Sequence, residues 1–430
     1  MMKKRNLFVA AFLAMGAAVS FTSCSNDEDV INSGNAGEEA TQQIVLQVAS
    51  SGDGLTTRAG RPLESSEAAQ QIDNVKVIIT DASNKVAYVM TVSPWVSNST
   101  EYTTGGHGRQ TVIEIPKDDK LDVGSYTVYA IGYSNSSDYE NIATAVEGVK
   151  KEDTFNENLK LELKDNAKAE EIFAGSLEDL RVEAGKGFKT PVVLNRQVAG
   201  TFGYVKDIPA IEGATKLQLI ASAENTGLVL GAFGNFDLTG NGTGNDGHIN
   251  YVVNGADAAT GAEHVVYEVD LSQWFADPDL DADGNGIVDA GTNWKGDASK
   301  YAKGSVFGGT FVIPFSKVAS KNTFTLRLTN GTTSLREWTV KLPGGDGQLS
   351  AHTLLKYDDE GFGTGTSDTD TETTYNVVRN HLYGIGIRTS SEPEEPGKEG
   401  TDEPESLNTK QELVLRVNDN WEVIHNMTIE

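Results

Sequence analysis

Ile72–Val92, IDNVKVIITDASNKVAYVMTV, is the stretch whose pattern decides the fold. Two short runs rich in branched residues, Val75-Lys76-Val77-Ile78-Ile79 and Val86 to Val92, flank a turn. Runs of this length and composition are strands, not helices. Working outward, the same grammar repeats. Ile44-Val45-Leu46-Gln47-Val48 precedes the stretch. Tyr126 to Ile131 follows a turn at Gly124, then come Leu159 to Leu163 and Lys189 to Leu194. Ala167 to Ile172 is the one segment in this block that reads as a helical turn.

A second block opens at Val198-Ala199-Gly200-Thr201-Phe202-Gly203-Tyr204. It continues through Leu217 to Ile220, His264 to Val269, Thr310 to Phe315, Phe324 to Leu328, Leu335 to Val340 and Val377 to Ile387. Residues 221–260 are rich in Gly and Asn and read as surface loops. Many short strands without long helical stretches make an all-β protein of β-sandwiches. No solenoid-type repeat is visible.

The chain has 430 residues, with 62 acidic and 35 basic side chains and a net charge of −27. So negative a chain is a poor partner for nucleic acid or for anionic lipid through basic patches. Its single cysteine excludes an internal disulfide and a cysteine metal cluster.

That cysteine is Cys24, and its setting explains it. Lys3, Lys4 and Arg5 precede an apolar run from Leu7 to Val19 that is too short to span a bilayer stably. Small residues then lead into Cys24, as in bacterial lipoprotein signals whose cysteine is acylated. Asp27-Glu28-Asp29 just after it is similar to the surface-export tag of Bacteroidetes lipoproteins.

Residues 390–410 are an acidic, Pro-containing linker with little to bury. Two strand-like runs follow. One carries Leu413, Leu415 and Val417. The other carries Trp421, Val423, Met427 and Ile429, and a period of two places His425 with Val423, Met427 and Ile429 on one face. Such runs either return to their own domain or add to a neighbour's open edge.

Asp281-Ala282-Asp283-Gly284-Asn285-Gly286-Ile287-Val288-Asp289 puts oxygen side chains at loop positions 1, 3, 5 and 9, with Gly at 6. That is the spacing of a calcium loop of the EF-hand type, with Asp281, Asp283, Asn285 and Asp289 as ligands. Position 12 is Thr292, not the bidentate Glu, and Pro278 and Gly291 exclude flanking helices. An acidic solvated loop is the other reading. Calcium is the one cofactor candidate, and none is required.

The six histidines form no His-x-x-x-His motif, and no glycine loop has a phosphate-binding context. Arg379, Asn380 and His381 form a catalytic-looking trio, but they sit in a strand-like run and read as structural. The chain does not read as an enzyme.

Four features together resemble a fimbrillin, the major stalk subunit of the fimbriae (type V pili) of Bacteroidetes. They are the lipoprotein leader, Thr57-Arg58-Ala59-Gly60, the run Val377-Val378-Arg379-Asn380-His381-Leu382-Tyr383, and the Trp-containing appendage after an acidic linker. The resemblance spans essentially the whole chain. It implies two transthyretin-like β-sandwiches in tandem with a C-terminal donor-strand appendage. The implied parts are a signal peptide at 1–24, a propeptide at 25–58, sandwiches at 59–195 and 196–389, the linker at 390–410 and the appendage at 411–430.

The resemblance also implies an assembly route. The precursor travels as an outer-membrane lipoprotein acylated on Cys24. An Arg-specific surface protease cuts after Arg58, with Arg61 the nearby alternative, and leaves Ala59 first in a chain of 372 residues (430 − 58). The protective strand carrying Ile44, Leu46 and Val48 departs with the lipid, and the next subunit's donor strand fills the groove. Implied partners are neighbouring copies head to tail and anchor and accessory fimbrial subunits, in a surface fimbria that supports adhesion and biofilm. An accessory or tip adhesin and an anchored glycan-binding surface lipoprotein are the alternatives.

Overall fold

The structure, a computed structural model, describes residues 41–49, 72–102, 108–231, 250–342, 352–358, 361–363, 366–386, 403–408 and 412–418. Cys24, Arg58, Ala59, Trp421, Val423, Met427 and Ile429 lie outside them.

The described chain is almost entirely β. Its first strands are β1 (Gln42–Ala49), β2 (Asn74–Asp81), β3 (Val86–Val92), β4 (Thr100–Tyr102) and β5 (Gly108–Glu114). There follow β6 (Gly124–Tyr133), β7 (Lys160–Glu162), β8 (Phe173–Val182) and β9 (Phe188–Arg196). The later block holds β10 (Ala199–Lys206), β11 (Lys216–Glu224), β12 (Gly227–Val229), β13 (Asn250–Val253), β14 (Gly255–Ala256) and β15 (Ala259–Asp270). Next are β16 (Val306–Val312), β17 (Phe324–Thr329), β18 (Ser334–Lys341), β19 (His352–Asp358), β20 (Gly361–Phe362) and β21 (Thr366–Asp368). The last are β22 (Leu382–Ile385), β23 (Glu405–Ser406) and β24 (Glu412–Asn418).

Two large sheets dominate. The first runs β3-β2-β6-β8-β9-β1-β5-β4. The second runs β15-β11-β17-β18-β24-β22-β10-β16, with β23 against β10. The stretch that opened the analysis is the β2–β3 hairpin, with Val75 opposite Val92 and Ile79 opposite Tyr88.

Alternation assigns the faces. Val75, Val77 and Ile79 enter the first sheet's own core, whereas Ile78 faces a second, middle core. A strand buried on both faces loses the apolar-polar rhythm, which is why β2 reads as nearly continuous hydrophobic sequence. β10 does the same from the other side: Ala199 and Val205 enter the second sheet's core, Phe202 and Tyr204 the middle one. The middle core therefore glues the sheets together, with β6 supplying Tyr129 and Ile131 and β16 supplying Phe307 and Phe311.

Three local expectations change. Ala167 to Ile172 is not helical: the chain turns at Asn166, which takes φ +62°, and Ala169 forms a bridge to Phe311. A four-residue helix instead occupies Leu271–Trp274, where the Asp270 carboxylate accepts from Ser272 N. Residues 221–260 are not loop throughout, since β12, β13 and β14 lie there. Gly255 serves close packing, because a Cβ would collide with the Pro314 carbonyl and the Asn225 side chain. Among the described residues of the Val377–Ile387 run, Leu382–Ile385 is the strand, since Asn380 turns the chain at φ +58°.

A buried polar knot joins β9 to β10. Arg196 binds Glu171 through Nε at 2.7 Å and Nη2 at 2.5 Å. Arg379 Nη1 donates to Gln197 Oε1 at 2.9 Å, and Asn254 Nδ2 donates to the Gln197 carbonyl at 3.1 Å. Backbone bonds from Asn380 N to Val198 O and from Gly200 N to His381 O complete it. Removing one member of a buried ion pair strands the other charge, at a cost of about 3–5 kcal/mol. Glu171→Ala should therefore lower the denaturation free energy by about that amount in a urea titration. A change too small to measure would show that the pair adds nothing to stability.

Candidate functional site

The first strand holds the most consequential position. β1 lies between β9, to which it is parallel, and β5, to which it is antiparallel. Its ladder aligns Ile44 with Ile113 and Thr190, Leu46 with Thr111 and Val192, and Val48 with Arg109 and Leu194. Seven residues pair on each side.

Period-two alternation puts Gln42, Ile44, Leu46 and Val48 on the inner face. Ile44 and Leu46 are 0% exposed and Val48 2%. Burying one such side chain contributes roughly 1.5–3 kcal/mol. The three expected protective residues are therefore brought together in one wall of the first sheet's core, beside Ile113, Val192 and Leu194.

The start of β1 is clamped. Gln42 Nε2 donates to the Leu121 carbonyl at 3.0 Å, and Leu121 N donates back to Gln42 Oε1 at 2.8 Å. Phe188 N and Ile115 N bind the carbonyls of Thr41 and Gln42. Gly187 is required there, because a Cβ would overlap the Thr41 carbonyl. Sequence reasoning did not single out Gln42. Its signal was parity, since it falls in phase with the three buried apolar residues.

The residues after the acidic segment are placed more firmly than a linker would be. Leu407 is fully buried in the second sheet's core, its N donates to the Lys206 carbonyl, and its own carbonyl accepts Trp338 Nε1 at 3.2 Å. Glu405 and Ser406 pair in parallel with Val205 and Lys206. β24 then inserts between β18 and β22, with Leu413 beside Val340 and fully buried. Leu415 sits opposite Ile385 and Val417 opposite Tyr383. In this single chain the first C-terminal run pairs within its own sheet.

The acidic loop draws three of its carboxylates together. Carboxylate oxygens of Asp281, Asp283 and Asp289 converge within 4.8 Å of one another, in a partly exposed group that could hold a metal ion. Asp281 accepts from Asn285 N at 3.0 Å and Gly286 N at 2.9 Å, and Asp289 accepts from Ala282 N at 3.0 Å. Asn285 accepts from Ile287 N. Val288 anchors the loop by burial and by its N bond to the Ile208 carbonyl. Asp279 is drawn aside to Gly213 N.

Arg379, Asn380 and His381 are buried and part of the knot described above. Tyr383 Oη accepts from Val378 N and donates to the Asn376 carbonyl, which closes the arch that holds them. Burial pulls the Arg379 guanidinium below the ordinary arginine range. A trio sealed this way has no access to a substrate. Among the described residues, no helix is long and apolar enough to cross a membrane.

No protein-family model matches the chain, and no curated protein matches it. Among solved structures it is similar to a tip fimbrial protein of Porphyromonas gingivalis with a C-terminal truncation. Identity is 12%, coverage 80% of this chain and 94% of that one, and TM-score 0.38. It is similar to a fimbrilin of the same species at 14% identity, covering 88% and 97%, with TM-score 0.34. It is also similar to a fimbrial assembly protein of Parabacteroides distasonis at 13% identity, covering 77% and 99%, with TM-score 0.33.

Proposed function

We propose that this chain is a structural subunit of a bacterial surface fimbria, built into the shaft by protease-triggered strand exchange. The observation that carries the reading is β1. It is an interior strand, hydrogen-bonded on both sides, and it lies on the amino-terminal side of the Arg58 cleavage motif. One backbone cut there separates it covalently from everything it packs against. Its loss opens two strand edges and an apolar trough that water cannot satisfy.

In this reading Cys24 carries the acyl anchor of an outer-membrane precursor. An Arg-specific surface protease cuts after Arg58 and exposes Ala59. A strand from the next copy takes the place of β1. Head-to-tail contacts of this kind do not close, so they grow a filament. The shaft forms with anchor and accessory subunits, supports adhesion, and performs no catalysis. The two-sheet body is its working unit, from Ala59 onward.

Calcium is the ion we assign to Asp281, Asp283, Asn285 and Asp289. Carboxylates alternating along a turn with glycine at φ +71° and +81° suit a hard cation with oxygen ligands. Those residues would hold the ion, which would stiffen the segment between Ile208 and Val288.

Purified precursor treated with a trypsin-like protease should yield Ala59 as the new N-terminus and a ladder of oligomers, with filaments by electron microscopy. Arg58→Ala combined with Arg61→Ala should abolish both. Clean loss of β1 that leaves only monomers would overturn the proposal. In the precursor, Leu46→Ala should cost about 2–5 kcal/mol of stability. In the processed chain that residue is gone, so polymers from the variant should match wild type. Calcium at about a hundredfold its dissociation constant should add about 2.7 kcal/mol to folding stability, read as a rise in Tm. A double variant, Asp281→Ala with Asp283→Ala, should show no rise. An equal rise in both proteins would dismiss the site.

A further inference from the structure

We propose that a cavity lined by Asn225 and His264 binds the ammonium end of a primary aliphatic amine. The site is independent of strand exchange.

The cavity lies where the segment 163–169, which leads toward β8 of the first sheet, crosses the second sheet. That segment is fastened there. Leu163 N donates to the Thr226 carbonyl, Ala169 bridges Phe311, and Lys168 Nζ donates to the Val265 carbonyl at 2.8 Å. β15 and β16, the two ends of the second sheet's strand order, both contribute to the walls.

Alanine makes the space. Ala167, Ala169, Ala221 and Ala223 stand where longer side chains would fill it, beside Phe311 and Phe315. The volume is about 40 Å³. At roughly 10–15 Å³ for each water-sized group, it admits about three heavy atoms. Lys168 and Val265 are exposed at the rim, so a longer stem can continue into solvent.

The polar lining is short of donors. Asn225 is 4% exposed, and its Nδ2 donates to the Pro314 carbonyl at 2.5 Å. A carbonyl only accepts, so the amide nitrogen must face it. Asn225 Oδ1 is then left buried without a partner. His264 Nδ1 lies 2.9 Å from Glu224 Oε2. A carboxylate likewise only accepts, so Nδ1 carries the hydrogen. In the neutral ring Nε2 is then a bare acceptor, and it too is buried without a partner. Buried acceptors without donors are rare and costly.

Two such acceptors among apolar walls suit a compact group rich in N–H. A hydroxyl offers one donor and an ammonium three. Glu224, half exposed beside His264, adds negative charge. Lys168 opposes it, but its ammonium is engaged by the Val265 carbonyl. An anion would meet two acceptors and a carboxylate. A primary ammonium on a short apolar stem matches both the lining and the volume.

The test uses the full purified chain and n-butylammonium chloride, with tetramethylammonium chloride and sodium acetate at equal ionic strength as controls. Butylammonium alone should raise Tm saturably and shift the His264 ring resonance, which the His264→Phe variant assigns. Ala167→Leu fills the space without touching a polar group and should weaken binding at least tenfold, as should His264→Phe. Lys168→Met should bind at least as tightly as wild type. Nα-acetyl-lysine methylamide carries the same stem and ammonium. Tighter binding of it than of butylammonium would make a protein's lysine side chain the source, and weaker binding a free amine. An absent or unsaturable response would show that water alone fills the cavity. That result would overturn the proposal, as would an equal response to tetramethylammonium, saturable binding of acetate, or unchanged affinity in Ala167→Leu.

Discussion

An interior β-strand has two edges to satisfy and cannot be removed without leaving both unpaired. β1 imposes that constraint on the first sheet. The β9 side and the β5–β4 side of the sheet meet only through it in the strand order, and its three buried residues belong to their common core. Such a strand is a good protector because its loss is so unfavourable. It is also a good placeholder, since whatever replaces it must offer the same two ladders and the same inward spacing. On the proposed reading, stability before cleavage and affinity after it would arise from one piece of geometry.

β24 creates the same situation in the second sheet, between β18 and β22. The two differ in what attaches them. β1 precedes Arg58 in the chain, and the rest of the described residues follow it. β24 follows Leu407, which is held by Trp338 and Lys206 on the same sheet. Identical hydrogen-bonding roles thus rest on different covalent connections.

Much of this was legible in the chain. Short branched runs identified the strands, among them the run carrying Ile44, Leu46 and Val48. Oxygen spacing found the acidic loop. What escaped depends on contacts between residues remote in sequence. Leu407 lies among Glu, Asp and Pro, so composition assigned it to a tether, whereas one apolar side chain with a hole to fill outweighs its neighbours. The middle core escaped as well, because no strand's own pattern says which sheet covers its second face. Only the nearly continuous hydrophobicity of β2 hinted that both faces were covered. Gly255 read as loop because a residue without a side chain looks the same in a turn and at a close backbone approach.

The arrangement also bears on how a shaft would carry load. A strand seated in the β1 slot would lie along β9, in register with Phe188 to Leu194. β9 runs through Arg196 and Gln197 directly into β10, and β10 pairs with β22, which pairs with β24. The path from the slot to β24 is therefore a series of strand ladders and one short covalent link. That link is where the buried ion pair and the Arg379–Gln197–Asn254 bonds are concentrated. Charged and amide groups would be an expensive choice for a core whose only task was to be stable. At this link their directionality holds β9 and β10 in a fixed relation, which apolar packing alone does not specify.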